Sequence, residues 1–281
     1  MRIRSFDKEK GILYLVATPI GNLQDMTYRA VDILKSVDKI YAEDTRNSIV
    51  LLKHYNINTK LESYHEFNQD IKTDEIVNEL EKGMKIAIIS DAGLPVISDP
   101  GYKIVSAAID ANIAVATIPG ASAGISALIA SGLPPMPYTF YGFLDSKKTK
   151  RISELNNLKY IENTIIFYEA PHRIKETLED ILEVFGDRRC VIARELTKTY
   201  EEYIRGSIKE LLEIDSIKGE IVLIVDGYKD EVVKNIDPNS KIEELISLGY
   251  KPNEAIKEVS KLFNLSRKEL YNSYIDYKNK E

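Results

Sequence analysis

Cysteine is almost missing from this 281-residue chain, and the one present, Cys190, leaves no internal disulfide framework to hold the fold. It lies in the apolar run Cys190-Val191-Ile192-Ala193, where a small buried thiol is the natural reading. Histidine is scarce too: His54, His65 and His172 are scattered without ligand spacing or a cysteine partner, so no metal site is expected. No apolar run approaches the ~20 residues needed to span a bilayer. Met1 to Lys10 carry charges of both signs without the apolar stretch of a signal peptide, so the expected compartment is the cytoplasm. Positive charge is in deficit, 38 Lys and Arg against 44 Asp and Glu for a net of −6, which excludes holding nucleic acid by the overall field. Any such role falls to local patches such as Lys147-Lys148-Thr149-Lys150-Arg151, followed by Arg188, Arg189, Arg194, Lys198 and Arg205, although such runs are usually solvated faces. Three chemical signatures are also missing: the Gly-x-Ser-x-Gly elbow of a serine hydrolase, the phosphate cradle ending in Lys-Ser/Thr, and the spaced glycine triplet of a dinucleotide fold.

What is present is an ordinary globular balance, 44% hydrophobic and 29% charged, with length for about two domains. Short apolar runs alternate with amphipathic stretches in the first half, which reads as an α/β lobe over 1–120. Its strands are Ile12 to Ala17, Lys39 to Ala42, Lys85 to Ser90 and Ile113 to Ile118. The spacing places helices over Tyr28 to Val37, Ser48 to Tyr55, Asp74 to Lys82 and Tyr102 to Ala111. A connecting helix begins near Ala121, and Leu133-Pro134-Pro135-Met136-Pro137 cannot continue it, so 121–137 reads as helix and linker. A second α/β lobe over 138–228 has strands at Tyr138 to Tyr141, Thr164 to Tyr168, Cys190 to Arg194, Thr199 to Arg205 and Glu220 to Val225. Helices fill Lys148 to Leu158, Arg173 to Phe185 and Ile208 to Glu213. Over 238–281 the pattern is helical only: Lys241 to Leu248, Pro252 to Phe263 and Ser266 to Tyr277, with Pro252 in a first turn and Ser266 as N-cap.

In open α/β sheets ligands gather beyond the carboxyl ends of the strands. The four first-lobe strands end in Thr18-Pro19-Ile20-Gly21-Asn22, Glu43-Asp44-Thr45-Arg46, Asp91-Ala92-Gly93-Leu94-Pro95 and Pro119-Gly120-Ala121-Ser122-Ala123. Small residues let backbone approach a ligand and proline holds a loop in one shape, so three of these four read as built for backbone recognition. Each alone is equally a plain turn.

With Phe167-Tyr168-Glu169-Ala170-Pro171-His172-Arg173, Arg194-Glu195-Leu196-Thr197-Lys198 and Lys218-Gly219-Glu220-Ile221-Val222-Leu223, and with the block Ser90 to Gly101, the chain resembles the tetrapyrrole-methylase superfamily. Within it, the likeness is to the branch that methylates a cytidine ribose 2′-hydroxyl in small-subunit (16S) ribosomal RNA. The match runs from about Leu13 to Gly227. It implies the class III methyltransferase type of fold, two α/β lobes with a small C-terminal helical appendage, and a homodimer acting on 16S ribosomal RNA or the assembled small subunit. It also implies S-adenosylmethionine (S-adenosyl-L-methionine) in the cleft, with Pro19, Asp91, Ala92, Gly93, Val96, Ser122 and Ala123 on one wall. Phe167, Tyr168, Glu169, Arg194, Gly219 and Glu220 would form the other. The chain departs from the family at Leu94, usually threonine, at Ala121, usually proline, and at Phe67, often histidine, which puts hydroxyl contacts at Leu94 and a histidine pair near His65 in doubt.

The chemistry of these residues agrees in part. Asp91 suits an ammonium group, backbone near Gly93 suits the methionine moiety, and Phe167 or Tyr168 suits an adenine face, the alternative being that both aromatics are core residues. A ribose hydroxyl needs a group to orient or deprotonate it. Among Glu43, Asp44, His65, Glu169, Glu195 and Lys198, the catalytic choice is Asp44 with Arg46 and Glu195 with Lys198. The alternative is that each pair is a salt bridge bracing a loop. Two other functions remain open: a methylase of a small acceptor, and a non-catalytic RNA-binding protein, since Leu265-Ser266-Arg267-Lys268-Glu269-Leu270 resembles a helix-turn-helix.

Overall fold

The computed structural model describes residues 11–98, 100–229, 237–247, 249–263 and 265–278. Four expectations touch positions outside these: the N-terminal stretch 1–10, Asp99 of the 90–101 block, Leu248 as a helix end, and the helical tail at 264 and 279–281.

The first sheet is entirely parallel, with strands β1 (Ile12–Val16), β2 (Lys39–Ala42), β3 (Lys60–Ser63), β4 (Lys85–Ile89) and β5 (Ala114–Ile118) in the order β3-β2-β4-β1-β5. β3 escapes the sequence pattern because it is an edge strand, Lys-Leu-Glu-Ser, exposed or half-buried throughout, with no apolar run to signal it. Helices α1 (Tyr28–Ser36) and α2 (Thr45–His54) cover one face, joining Ala30, Leu34 and Leu52 to the inward residues Ile12, Tyr14 and Val16. α3 (Gln69–Glu81) and α4 (Tyr102–Asp110) cover the other, with Ile76, Leu80, Ile104 and Ala108 against Leu13, Tyr41 and Ile86. α2 starts three residues earlier than its apolar spacing indicates, because Asp44 caps it: Asp44 Oδ1 accepts from the Arg46 amide at 2.8 Å. α3 starts at Gln69 rather than Asp74, with no side-chain cap and no buried residue before Thr73.

Helix α5 (Ala123–Ser131) ends at Gly132, whose φ of 82° is left-handed, so the helix stops before the prolines assigned to stop it. It lies on the second sheet, with Ala127 and Leu128 packed against Ile166, Val191, Val222 and Ile224. Its ends are tied to that sheet as well. The Gly124 amide donates to Tyr168 Oη at 3.3 Å, and Arg205, read earlier as part of a basic patch, donates to the Ala130 and Ser131 carbonyls at 2.7 and 3.1 Å.

The second sheet is mixed, with β6 (Tyr138–Phe143), β7 (Thr164–Glu169), β8 (Arg189–Arg194), β9 (Glu202–Ser207) and β10 (Ile221–Val225) in the order β6-β7-β10-β8-β9. Only the β6/β7 pair is parallel. Helices α6 (Lys148–Leu158), α7 (Ile174–Phe185) and α8 (Ile208–Leu212) close one face over a core that includes Phe167, Leu178, Ile181, Ile192 and Leu223. β9 begins at Glu202 and not at Thr199, because residues 195–201 form a tight turn with φ of 51° at Glu195 and 66° at Thr197. The chain up to Gly227 is one compact unit, and residues from Tyr228 form a second. The second holds α9 (Pro238–Ser247), α10 (Pro252–Leu262) and α11 (Arg267–Lys278) around Ile242, Ala255, Ile256, Val259, Leu270 and Tyr274. Among the described residues no helix is long and apolar enough to cross a membrane.

Candidate active site

The loops after β1 and β4 are clipped together by backbone. Thr18 N donates to Gly93 O at 2.9 Å and Gly93 N to Thr18 O at 3.1 Å, while Thr18 Oγ1 donates to Ser90 O at 3.0 Å and Ser90 Oγ to Gly93 O at 3.1 Å. Gly93, at φ 79°, allows this turn where an L side chain would be strained. The Gly93 amide and carbonyl both bond to Thr18, and the glycine shapes a loop that lines a cavity. Between this loop pair, the start of α5 and the face of the second sheet on which α5 lies is this cavity of about 440 Å³. Ile20, Asp91, Ala92, Gly93, Leu94, Ile97 and Ser98 form one wall, Ser122 and Ala123 of α5 a corner, and Phe143, Tyr168, Glu169, Ala170, Pro171, Leu196, Glu220, Ile221 and Val222 the other.

Eight residues assigned to the cofactor from the sequence are among these: Asp91, Ala92, Gly93, Ser122, Ala123, Tyr168, Glu169 and Glu220. Five are not, and each has a physical reason. Pro19 is buried. Val96, held at φ 78°, packs on Gly101, where an added Cβ would lie 2.6 Å from Val96 Cγ2. Arg194 pairs with Glu202 at 2.6 Å. Gly219, at φ 88°, lies so close under Glu195 that a Cβ would sit 2.4 Å from its Cγ. Phe167 is 0% exposed in the helix-covered core, because alternation along β7 sends it to the face opposite Tyr168.

The aromatic wall comes instead from Phe143, which the sequence reading left beyond the strand. β6 pairs with β7 as Phe140↔Ile166 and then Gly142↔Phe167 and Phe143↔Tyr168, so Tyr141 is an extra residue. That bulge, with Gly142 at φ 87°, inverts the alternation and brings Phe143 to the Tyr168 face. The rings of Phe140 and Phe143 flank Tyr168 edge-on at 5.1 and 5.6 Å. Nothing in a sequence pattern of period two announces a one-residue insertion. Leu94, Ile97, Ala170 and Pro171 were legible only as members of loop motifs.

The charged residues are paired. Asp44 holds Arg46, Oδ2 to Nη2 at 2.6 Å, and this bond with the cap amide lowers the Asp44 carboxyl to about 2. Glu195 Oε1 accepts from Lys198 Nζ at 2.9 Å and from the Glu220 amide at 3.0 Å, and Lys198 also reaches Glu220 Oε2 at 3.0 Å. The Lys198 bond, then the Glu220 amide, depress the Glu195 carboxyl; burial pulls Lys198 down, but the two carboxylates outweigh it and hold it raised. Lys198 lies across Gly21, where a Cβ would meet its Cγ at 2.8 Å. None of Asp44, Arg46, Glu195 and Lys198 lines the cavity, so both pairs stand beside it rather than in it. Glu169 is 3% exposed with its carboxylate turned into α7, accepting from the Ala170 amide, Arg173 and Thr177 Oγ1 at 2.6 to 2.9 Å. It holds the Ala170-Pro171 turn. His65 Nδ1 is buried with no hydrogen-bond partner, and no group of three His, Cys, Asp or Glu among the described residues is placed to hold a metal.

A model of the tetrapyrrole (corrin/porphyrin) methylases matches residues 12–212. The chain belongs to this methylase family. It is 51% identical over 276 residues to a protein of Streptococcus pyogenes named ribosomal RNA small subunit methyltransferase I, covering 96% of each chain. Proteins of the same name from Bacillus subtilis and Synechocystis are 48% and 44% identical, covering 95% and 93% of this chain and 94% and 96% of theirs. In fold the chain is like uroporphyrin-III-C-methyltransferase from Thermus thermophilus, with a TM-score of 0.55 at 18% identity over 77% of this chain and 94% of that one. It is also like a diphthine synthase, with a TM-score of 0.59 at 11% identity over 77% and 90%. The family's class III methyltransferase architecture is therefore the architecture described above.

Proposed function

We propose that this protein transfers a methyl group from S-adenosylmethionine to the ribose 2′-hydroxyl of a cytidine in 16S ribosomal RNA, in the cytoplasm and as a homodimer. The observation that carries the reading is the mostly apolar cavity between the two lobes, with few polar groups, the Asp91 carboxylate among them. Its volume of about 440 Å³ falls within the ~300–1,000 Å³ of small-molecule sites. Asp91 Oδ2 takes the Asn47 amide at 2.8 Å, and its second oxygen suits an ammonium group. Tyr168 and Phe143 offer aromatic surface to an adenine, and Ala92, Ala123 and Ala170 leave room for backbone approach. When bound, S-adenosylmethionine supplies an activated methyl on a sulfonium.

The protein's own part is chiefly alignment, bringing acceptor oxygen and methyl carbon within ~3 Å and keeping water out. A carboxyl lowered to about 2, as in Asp44, is a weak base at neutral pH. The Asp44–Arg46 and Glu195–Lys198 pairs then orient the ribose and hold flanking phosphates, a task for which Arg46, with an 88% exposed side chain, is well presented. Support for an RNA acceptor comes from the full-length likeness to proteins named for ribosomal RNA methylation. Mass mapping of ribosomal RNA from cells lacking this protein tests the reading: loss of one ribose methyl on a small-subunit cytidine is expected. An unchanged RNA, or methyl transfer to a porphyrin by the purified protein, would overturn it. Light scattering of the purified protein checks the dimer.

A further inference from the structure

The first turn of α2 serves the cavity as well as the Asp44–Arg46 pair. Asp44 caps the helix and draws the Arg46 guanidinium back onto itself at 2.6 Å, and Arg46 also senses the charge of Asp91 in the β4 loop. The next side chain, Asn47, crosses to that loop, and its Nδ2 donates to Asp91 Oδ2 at 2.8 Å. Asp91 is exposed at the start of a loop held at its far side by the Thr18–Gly93 bridge, and Asn47 is the side chain that fixes which way its carboxylate turns. A carboxylate on a loop pays rotamer entropy when it binds a ligand, and a neutral amide donor that has already oriented it reduces that cost without competing for the ligand's positive charge.

We infer that Asn47 is a positioning residue for the methyl-donor site, acting through Asp91 and making no contact with the donor itself. The assignment rests on the reading of the cavity as the donor site. One helix turn thereby fixes both the pair beside the cavity and the carboxylate within it.

Calorimetry with S-adenosylmethionine on the full chain tests this with Asn47→Ala, Asn47→Gln, Asp91→Ala and the double variant. Asn47→Ala is expected to weaken donor binding roughly three- to tenfold, on the scale of one hydrogen bond to a charged group. Asn47→Gln, which keeps the amide, should recover most of that loss. In the Asp91→Ala background, Asn47→Ala should change nothing further, because its partner is gone. With acceptor saturating, the donor KM should rise while kcat stays within twofold. Equal affinity for wild type and Asn47→Ala, or effects of the two alanines that simply multiply, would overturn the assignment while leaving the cavity's role intact. No donor binding by the wild type would overturn both. Thermal melts of each variant separate these results from a folding defect, since a loss confined to a less stable Asn47→Ala with no rescue by Asn47→Gln counts against positioning.

Discussion

Phe143 and Phe167 lie on paired strands of one sheet, yet one faces the cavity and the other is sealed in the core. Their truncations should separate cleanly. Phe167→Ala removes a fully buried ring and should cost about 3–5 kcal/mol in chemical denaturation. Phe143 is 55% exposed, so Phe143→Ala should cost well under half of that while weakening S-adenosylmethionine binding by up to about tenfold in calorimetry. A stability loss at Phe143 equal to that at Phe167 would show that the ring is core and not wall. Gly219 makes a different point at the same scale. A methyl group there would meet Glu195 at 2.4 to 2.5 Å with φ in the left-handed region. Gly219→Ala is expected to displace Glu195 and break its bonds to Lys198 and the Glu220 amide, lowering methyl transfer at least tenfold for about 1–3 kcal/mol of strain. Activity within twofold of wild type would show that the tie between these residues is dispensable. The residue types at these positions were plain in the sequence, and Phe167 and Gly219 stood in motif blocks while Phe143 did not; which side of its strand each phenylalanine faced was not legible.

Among the elements, α5 shows how a helix read as a connector becomes a wall. Its apolar side lies on β7, β8 and β10, its N-cap Ser122 and first residue Ala123 open onto the cavity, and Arg205 from β9 binds the carbonyls at its last turn. Cations at a helix C-terminus favour the dipole and satisfy orphan carbonyls. Arg205→Met, which keeps the stem and removes the donors, should lower stability by about 1 kcal/mol, since the guanidinium is solvent-exposed. Thermal melts would measure it, and an unchanged midpoint would mean that solvent caps the helix as well as Arg205 does. The period of apolar residues announced α1, α4, α6 and α7 within a residue or so, because each buries one continuous stripe. β3 and the first turns of α2 and α3 went unannounced because the polar cap of α2, an α3 first turn with no buried residue, and an exposed edge carry no such stripe.

At the scale of the whole molecule, the first lobe carries a charge cluster between β2, β3 and α3. Lys39 is 5% exposed and pairs with Glu79 and Glu62, and Glu62 also pairs with Lys60 and Lys72 at 2.7 and 3.0 Å. The Lys60 bond first, against the opposing effect of burial, and then those of Lys72 and Lys39 lower Glu62 from its ordinary 4.5 to about 2. A carboxyl depressed on folding stabilises the native state above its unfolded value, and that contribution fades as pH falls through the folded one. Melting temperature should therefore drop between about pH 4.5 and 2, and the gap between wild type and Glu62→Gln should shrink across that window. A gap of constant size down to the lower pH would refute this account of the cluster.

The amino-acid sequence alone determined the lobes' α/β character, the family, and three of the loops that meet at the cavity, because apolar periodicity and contiguous motif blocks are local properties of a chain. Only the tertiary structure decided that Phe143 and not Phe167 faces the cavity, that Gly93 spends its amide on Thr18, that Glu169 turns into α7, and that Asn47 holds Asp91. The reason is the same in each case. These outcomes depend on a one-residue bulge, or on a hydrogen bond between residues 8 to 75 positions apart, and such partners are chosen by how strands register and loops converge, which no local pattern records.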